Sequence, residues 1–322
     1  MPSMPPRTLW HPRHWPTWCA VASMVLLARL PWAMQRGLGR AVGMFAYRLP
    51  NRRRRIAHRN LELCFPELEA AARERLLRQN YRELGIGLFE FMRAWWGTVA
   101  AFHGTTSITG LEGLDLTRAD GKGVILVSGH FMSLELCGRL LTERVPLAGI
   151  YRAYDNPVIE WAVRRGRARY AVAMFERGEV RAAVRHLRRG GVLWYAPDQD
   201  MRGRDFVFAP FFGHLAATTP ATHHLARLGC ARVRTFGYQR RAGSRGFDLH
   251  IGPALPGVPG GEVIADTAAV NASIEALVRA SPAAYLWVHA RFKRRPPGTA
   301  PRYGDPSVDV PEKASKKGDG GK

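Results

Sequence analysis

Between residues 106 and 300, short apolar runs alternate with segments of helical period. The pattern predicts strands at 124–128, 147–151, 191–196, 232–238 and 247–251, and helices at 131–143, 156–167, 179–188, 219–228 and 264–280. Alternation of this kind implies an α/β fold, a mixed and largely parallel sheet flanked by helices. No internal repeat interrupts it. Residues 51–100 carry helical patterning only. RRRRIAHRNLELCFPEL starts a basic amphipathic helix that stops near Phe65-Pro66, and Leu76, Leu77, Tyr81, Leu84, Leu88 and Phe91 recur at helical spacing in a second, from Glu69 to Trp96.

The pattern changes again upstream. Residues 17–34 read TWCAVASMVLLARLPWAM, but the uninterrupted apolar part ends at Ala28, before Arg29 and Pro31. A full membrane span needs about 20 apolar residues, so this one is too short. Trp10, Trp15, Trp18 and Trp32 bracket it as interfacial anchors would, and Arg29, Arg36, Arg40, Arg48 and Arg52 to Arg55 follow. An interfacial anchor with basic flanks and a core helix beside a basic patch both fit. If the segment does span, the positive excess beyond it keeps the main domain cytosolic. No small-residue cleavage site follows it. The division expected is a membrane-associating segment over 1–50, a catalytic domain over 51–302, and a polar, disordered tail over 303–322.

Charge narrows the partners. The formal net charge is +22, and the tail from residue 303 is neutral, with four acids against four lysines, so the excess sits on residues 1–302. Such a field attracts nucleic acid, an anionic membrane face, or an acidic protein or substrate. The buried-strand organisation and the lack of a nucleic-acid motif speak against a nucleic-acid partner. The four cysteines are far apart and form no C-x-x-C pair, which fits free thiols rather than disulfides or a zinc site.

Candidate chemistry collects where strands end. In GKGVILVSGHFMSLELCGRL (residues 121–140) a β-branched run stops at Ser128-Gly129, His130 follows, and a helical segment carries Glu135. Open α/β sheets keep reactive groups at this edge. Residues five apart on one helix point about 140° away from each other, so the two meet only if His130 lies in the turn ahead of the helix. Glu135 would then hold one ring nitrogen and leave the other as a base. YAPDQD places Asp198 and Asp200 on the same edge, with no third ligand at a recognisable metal spacing. Arg152 ends another strand, and Arg177 lies in AMFERGEV; either could face a phosphate or a developing oxyanion. Phe206, Phe208, Phe211 and Phe212 offer a lining for an acyl tunnel.

Taken together, RRRRIAHRNLELCFPEL, SGHFMSLEL, GIYRAYDNPVIEW, WYAPDQD, FVFAPFFG-HLAATTPAT and YLWVHARFKRRPPG resemble the late, lauroyl/myristoyl acyltransferases of bacterial lipid A biosynthesis, over about residues 10–300. The resemblance implies a glycerol-3-phosphate acyltransferase-like fold and an enzyme on the cytoplasmic face of a Gram-negative inner membrane. It would need no cofactor and no metal. It would pass a fatty acyl group from acyl carrier protein to a hydroxyl on a 3-hydroxyacyl chain of the lipid A precursor, in lipopolysaccharide biosynthesis. In that family the residue matching His130 is the base, the one matching Glu135 supports it, and Arg177 matches a basic residue placed on the substrate. Two positions depart from the pattern: Arg234-Thr235 stands where relatives often carry Val-Pro, and Glu176-Arg177 where Asp-Arg is usual. A lysophospholipid or other glycolipid acyltransferase of the same fold is the alternative.

Overall fold

The computed structural model describes residues 5–200, 205–241, 246–305 and 308–311. Four helices come first: α1 (Trp15–Leu27), α2 (Trp32–Arg48), α3 (Arg52–Cys64) and α4 (Ala70–Trp96). Then follow β1 (Ser107–Thr109), α5 (Leu111–Ala119), β2 (Val124–Val127), α6 (Leu134–Thr142), β3 (Leu147–Tyr151), α7 (Pro157–Arg167), β4 (Ala173–Glu176), α8 (Val180–Arg188) and β5 (Val192–Tyr195). The hairpin β6 (Val207–Phe211) and β7 (His214–Thr218) precedes α9 (Ala221–Gly229), β8 (Arg232–Arg240), β9 (Phe247–Ala254) and α10 (Val263–Ala280). The short strands β10 (Arg294–Arg295) and β11 (Val310–Pro311) close the described chain.

Among the described residues, seven strands form one sheet in the order β1-β9-β8-β2-β5-β3-β4, parallel throughout except at β8–β9. Strand β2 lies at its centre, and its four residues are inaccessible to solvent. This explains its unbroken β-branched and apolar sequence: a strand covered on both faces has no polar positions. The five expected strands and their helices are present within a few residues. Features not anticipated include β1, α5, the edge strand β4, the β10–β11 pair, and the β6–β7 hairpin, which pairs apart from the main sheet.

The helical N-terminal region folds around α4. Residues 17–34 form two helices parted at Pro31, not one. At 1.5 Å per residue α1 spans about 20 Å, short of a bilayer core of about 30 Å. No helix among the described residues is long and apolar enough to cross a membrane. Its inner face packs Val21 against Leu9, Val158 and Ala162, and Ala28 meets Phe89 and Met92. Helices α2 and α4 cross in contact because glycines line the crossing; a Cβ on Gly43 would lie 2.0 Å from the Tyr81 carbonyl oxygen. The outward face of α2 leaves Met34, Leu38, Val42 and Phe45 exposed at helical spacing.

The segment expected as a tail from residue 303 begins inside the fold. The Tyr303 hydroxyl donates to Asn60 Oδ1 at 2.6 Å, and the Asp309 carboxylate accepts from the backbone N–H groups of Arg302, Tyr303 and Asp305. Residues 312–322 lie outside the described residues.

Candidate active site

The site begins with a register. Strands β2 and β5 run parallel with Val127 opposite Tyr195, and the pairing continues one step further, where Ser128 N–H donates to the Tyr195 carbonyl at 3.1 Å. Each chain leaves the sheet at the same level, so His130 and Asp198, each three residues beyond that last pair, arrive side by side. The turn carrying His130 is tied to a distant segment: Met132 N–H donates to the Ala284 carbonyl, and Leu286 N–H to that of His130.

His130 Nδ1 lies 2.6 Å from Asp198 Oδ1, and the His130 backbone N–H donates to Oδ2 of the same carboxylate at 2.9 Å. The Tyr285 hydroxyl also donates to Oδ2, at 2.8 Å. Asp198 is 1% exposed. Burial alone would raise its pKa, but His130 and these hydrogen bonds outweigh burial and hold it down to about 2. An ionised carboxylate only accepts, so Nδ1 carries the proton and the neutral ring keeps its lone pair on Nε2. Nε2 has no hydrogen-bond partner among the described residues. The ring is 31% exposed, enough to meet a substrate.

The contact expected between Glu135 and His130 is replaced by this one. Helix α6 starts at Leu134, so Glu135 sits in its first turn, and its carboxylate faces α4 and α7. Trp95 Nε1 donates to it at 2.9 Å, the Tyr170 hydroxyl at 2.7 Å, and Arg167 through both Nε and Nη2. With both oxygens engaged by a guanidinium and two neutral donors, little acceptor capacity is left for the imidazole. Burial pushes the Glu135 pKa up, but the Arg167 charge and these donors more than reverse it and hold the group ionised.

Asp200, expected at the substrate, is also taken up by the protein. Its carboxylate pairs with Arg294 at 2.6 Å, its carbonyl accepts from Lys293 Nζ at 2.8 Å, and its N–H donates to His289 Nε2 at 3.1 Å. Asp198 and Asp200 therefore face protein partners, and their influence on a bound molecule passes through His130, Arg294 and His289.

Two cavities meet at His130. One, of about 1030 Å³, is a cationic cleft walled by Arg52, Arg53, Arg152, Arg177, Lys293 and Arg294. The other, of about 360 Å³, is mostly apolar and runs past Leu84, Leu88, Phe91, Met132 and Tyr154. His130, Ile150, Tyr151, Arg152 and Trp194 line both. Arg152 and Arg177 are thus brought to the same cleft as His130. The phenylalanines expected to line an acyl tunnel do not line this groove. Phe211 and Phe212 pack into the aromatic core with Tyr285, Trp287 and Phe292, and Phe206 lies under Arg294.

A family model of bacterial lipid A biosynthesis acyltransferase matches residues 6–294. The chain belongs to that family. Among curated relatives, the lipid A biosynthesis lauroyltransferase of Escherichia coli (strain K12) is 36% identical over 92% of this chain and 97% of its own length. The palmitoleoyltransferase of the same organism is 38% identical over the same shares. A lipid A biosynthesis acyltransferase of Haemophilus influenzae (strain ATCC 51907 / DSM 11121 / KW20 / Rd) is 32% identical over 90% and 94%.

In this lipid A acyltransferase two site residues escaped sequence reasoning. Tyr285, which anchors Asp198, and His289, which lines the cleft, sit in YLWVHARFKRRPPG, where a histidine alone reads more readily as structural than catalytic. No group of His, Cys, Asp or Glu among the described residues could hold a metal ion. The buried thiols of Cys64 and Cys137 are pushed far up by burial, so neither offers a thiolate for a covalent acyl intermediate.

Proposed function

We propose that this acyltransferase moves a fatty acyl group from the thioester of acyl carrier protein to a hydroxyl of a 3-hydroxyacyl chain on the lipid A precursor, by direct attack with His130 as base. One observation carries the reading: an imidazole whose tautomer is set by Asp198 stands where a cationic cleft meets an apolar groove. A phosphorylated glycolipid has a headgroup for the first and hydrocarbon for the second. The relatives named as lauroyl- and palmitoleoyltransferases of lipid A biosynthesis support both substrate halves.

Nε2 takes the hydroxyl proton as that oxygen bonds to the thioester carbonyl carbon. The tetrahedral intermediate then collapses, the C–S bond breaks, and the departing thiolate takes the proton from the imidazolium. Asp198 stabilises that imidazolium and fixes the ring; general base catalysis of this kind contributes about 10²–10⁴-fold. Arg152 and Arg177 hold headgroup phosphate. Glu135 acts as a positioning residue, keeping Arg167 in the wall of the groove.

The exposed Met34, Leu38, Val42 and Phe45 of α2 form the face that would lie on the cytoplasmic leaflet of the inner membrane, where the excess positive charge favours anionic lipid. The test is lipid mass spectrometry after gene deletion, with complementation by wild type or His130→Ala. Loss of one secondary acyl chain from lipid A, restored only by wild type, is expected. Altered phospholipids with unchanged lipid A would instead indicate a lysophospholipid acceptor.

A further inference from the structure

We infer that His289 is a second catalytic imidazole, a neutral ring that donates its Nδ1–H to the oxyanion formed on the attacked thioester carbonyl. The inference rests on the reading of His130 and the thioester donor given above.

The tautomer follows from one hydrogen bond. His289 Nε2 accepts the backbone N–H of Asp200 at 3.1 Å, so its lone pair lies there, and in the neutral ring the proton is on Nδ1. Protonating the ring would set an N–H against that N–H. The site also disfavours it, because burial, with Lys293 and Arg291 adding to it, holds the ring's pKa down to about 3. The ring stays a donor that never becomes a competing base or a second cation.

Its place is fixed from two sides. Asn60 Nδ2 donates to the His289 carbonyl at 2.8 Å and to that of Trp287 at 2.7 Å, while Arg294 clamps Asp200. His289 lines the same cleft as His130. The two rings therefore share the Nδ1–H tautomer but are held by opposite nitrogens, His130 through Nδ1 and His289 through Nε2, by alternate residues of one turn. Asp198 leaves His130 with a lone pair on Nε2, and Asp200 leaves His289 with a proton on Nδ1. One takes the hydroxyl proton while the other steadies the charge that this attack places on the carbonyl oxygen. As the C–S bond breaks the carbonyl re-forms, the thiolate takes the proton from His130, and His289 ends as it began. A pre-set neutral donor in the cleft where charge develops costs no reorganisation during the reaction.

Two measurements on the full-length enzyme test this. In ¹⁵N-resolved spectra of the imidazoles, His289 should be protonated at Nδ1 and unchanged between pH 5 and 8. A ring protonated at Nε2, or one titrating in that range, overturns the proposal. In steady-state assays with acyl carrier protein thioester and the lipid acceptor, His289→Leu should lower kcat about 100- to 1000-fold with each KM within about threefold. His289→Asn, which presents both an amide donor and an acceptor, should recover at least tenfold of that. Unchanged kcat, or a raised KM at unchanged kcat, overturns the donor role. His130→Ala in the same assay separates the failures: activity surviving there removes the base, whereas loss there beside an active His289→Leu removes only the oxyanion donor. If His289→Leu does not fold, the spectra of the wild type still decide.

Discussion

Asp198 Oδ1 and His130 Nδ1, 2.6 Å apart, are each three residues past the facing pair Tyr195 and Val127. The pairing is thus a product of strand register as much as of charge, and it survives substitutions that keep the side-chain shape. Asp198→Asn should fold normally and hold the ring in place, but its amide can present an N–H to Nδ1 and so favour the unproductive tautomer. A loss of about 10³–10⁴-fold in kcat is expected, by the arithmetic of carboxylate-oriented imidazoles. Stopped or steady-state acyl-transfer kinetics check it, and near-normal turnover would show that the ring does not need this carboxylate.

Glu135 should respond differently. Its carboxylate holds a largely buried Arg167, so Glu135→Gln strands a guanidinium whose partner charge is gone. Breaking a buried pair from one side costs about 3–5 kcal/mol. The thermal midpoint should drop by roughly 10 °C, with the surviving folded enzyme keeping a larger share of kcat than Asp198→Asn keeps. The reverse order of the two variants in kcat would return the orienting role to Glu135.

These two residues mark how far the chain could be read without its structure. His130 and Asp198 both stood out because each follows an apolar run that can only be a buried strand, and both were placed on one sheet edge. Their partnership was not legible. Glu135 is near His130 in sequence, and what draws it away are Arg167 and Tyr170, 32 and 35 residues distant. His289 was still less visible, since its carbonyl is gripped by Asn60 across 229 residues of chain and its ring by a backbone N–H that no side-chain pattern encodes. The core strands were found because burial on both faces leaves no polar positions. Edge strand β4, partly exposed along its length, carries no such signature.

The cationic cleft makes a prediction about salt. Among the described residues Arg152 meets only an exposed Asp155, at 3.0 Å, a pairing worth little, so a bound phosphate competes with it easily. Arg177→Ala and Arg152→Ala should each raise KM for the lipid acceptor about tenfold, equivalent to about 1.4 kcal/mol, with kcat changed much less. The deficit should shrink as ionic strength rises, because screening already weakens the contact in the wild type. An acceptor KM unaffected by either variant would remove the headgroup from this cleft.

His289 predicts a pH dependence of stability. The ring is neutral when folded down to about pH 3, while the unfolded chain takes up a proton near the ordinary value of 6.5. Below 6.5 the unfolded state therefore binds more protons, and folding weakens as pH falls, by at most about 1.4 kcal/mol per pH unit. Asp198 adds its own loss only lower, between its ordinary 3.8 and about 2. Urea unfolding at pH 7, 6 and 5 should show the wild type losing stability faster than His289→Asn, whose side chain does not titrate. Parallel slopes would mean that His289 protonates in the folded protein.

The outward face of α2 can be tested without reference to catalysis. Leu38 and Phe45 are 42% and 64% exposed, lie seven residues apart, and so share one side of the helix. Their neighbours Arg40 and Arg48 are exposed as well and would reach anionic headgroups. On a leaflet each apolar side chain would bury surface worth on the order of 1–2 kcal/mol. Leu38→Ser with Phe45→Ser should therefore weaken binding to vesicles containing anionic lipid by about 10- to 100-fold in a sedimentation assay. The packing of α2 on α4 lies on the opposite side, through Gly39, Gly43 and Gly85, so the thermal midpoint should hold. Added salt should weaken the wild type through its arginines and the double variant alike, because the apolar contribution is not screened. Unchanged vesicle binding in the double variant would place the membrane contact elsewhere on the molecule.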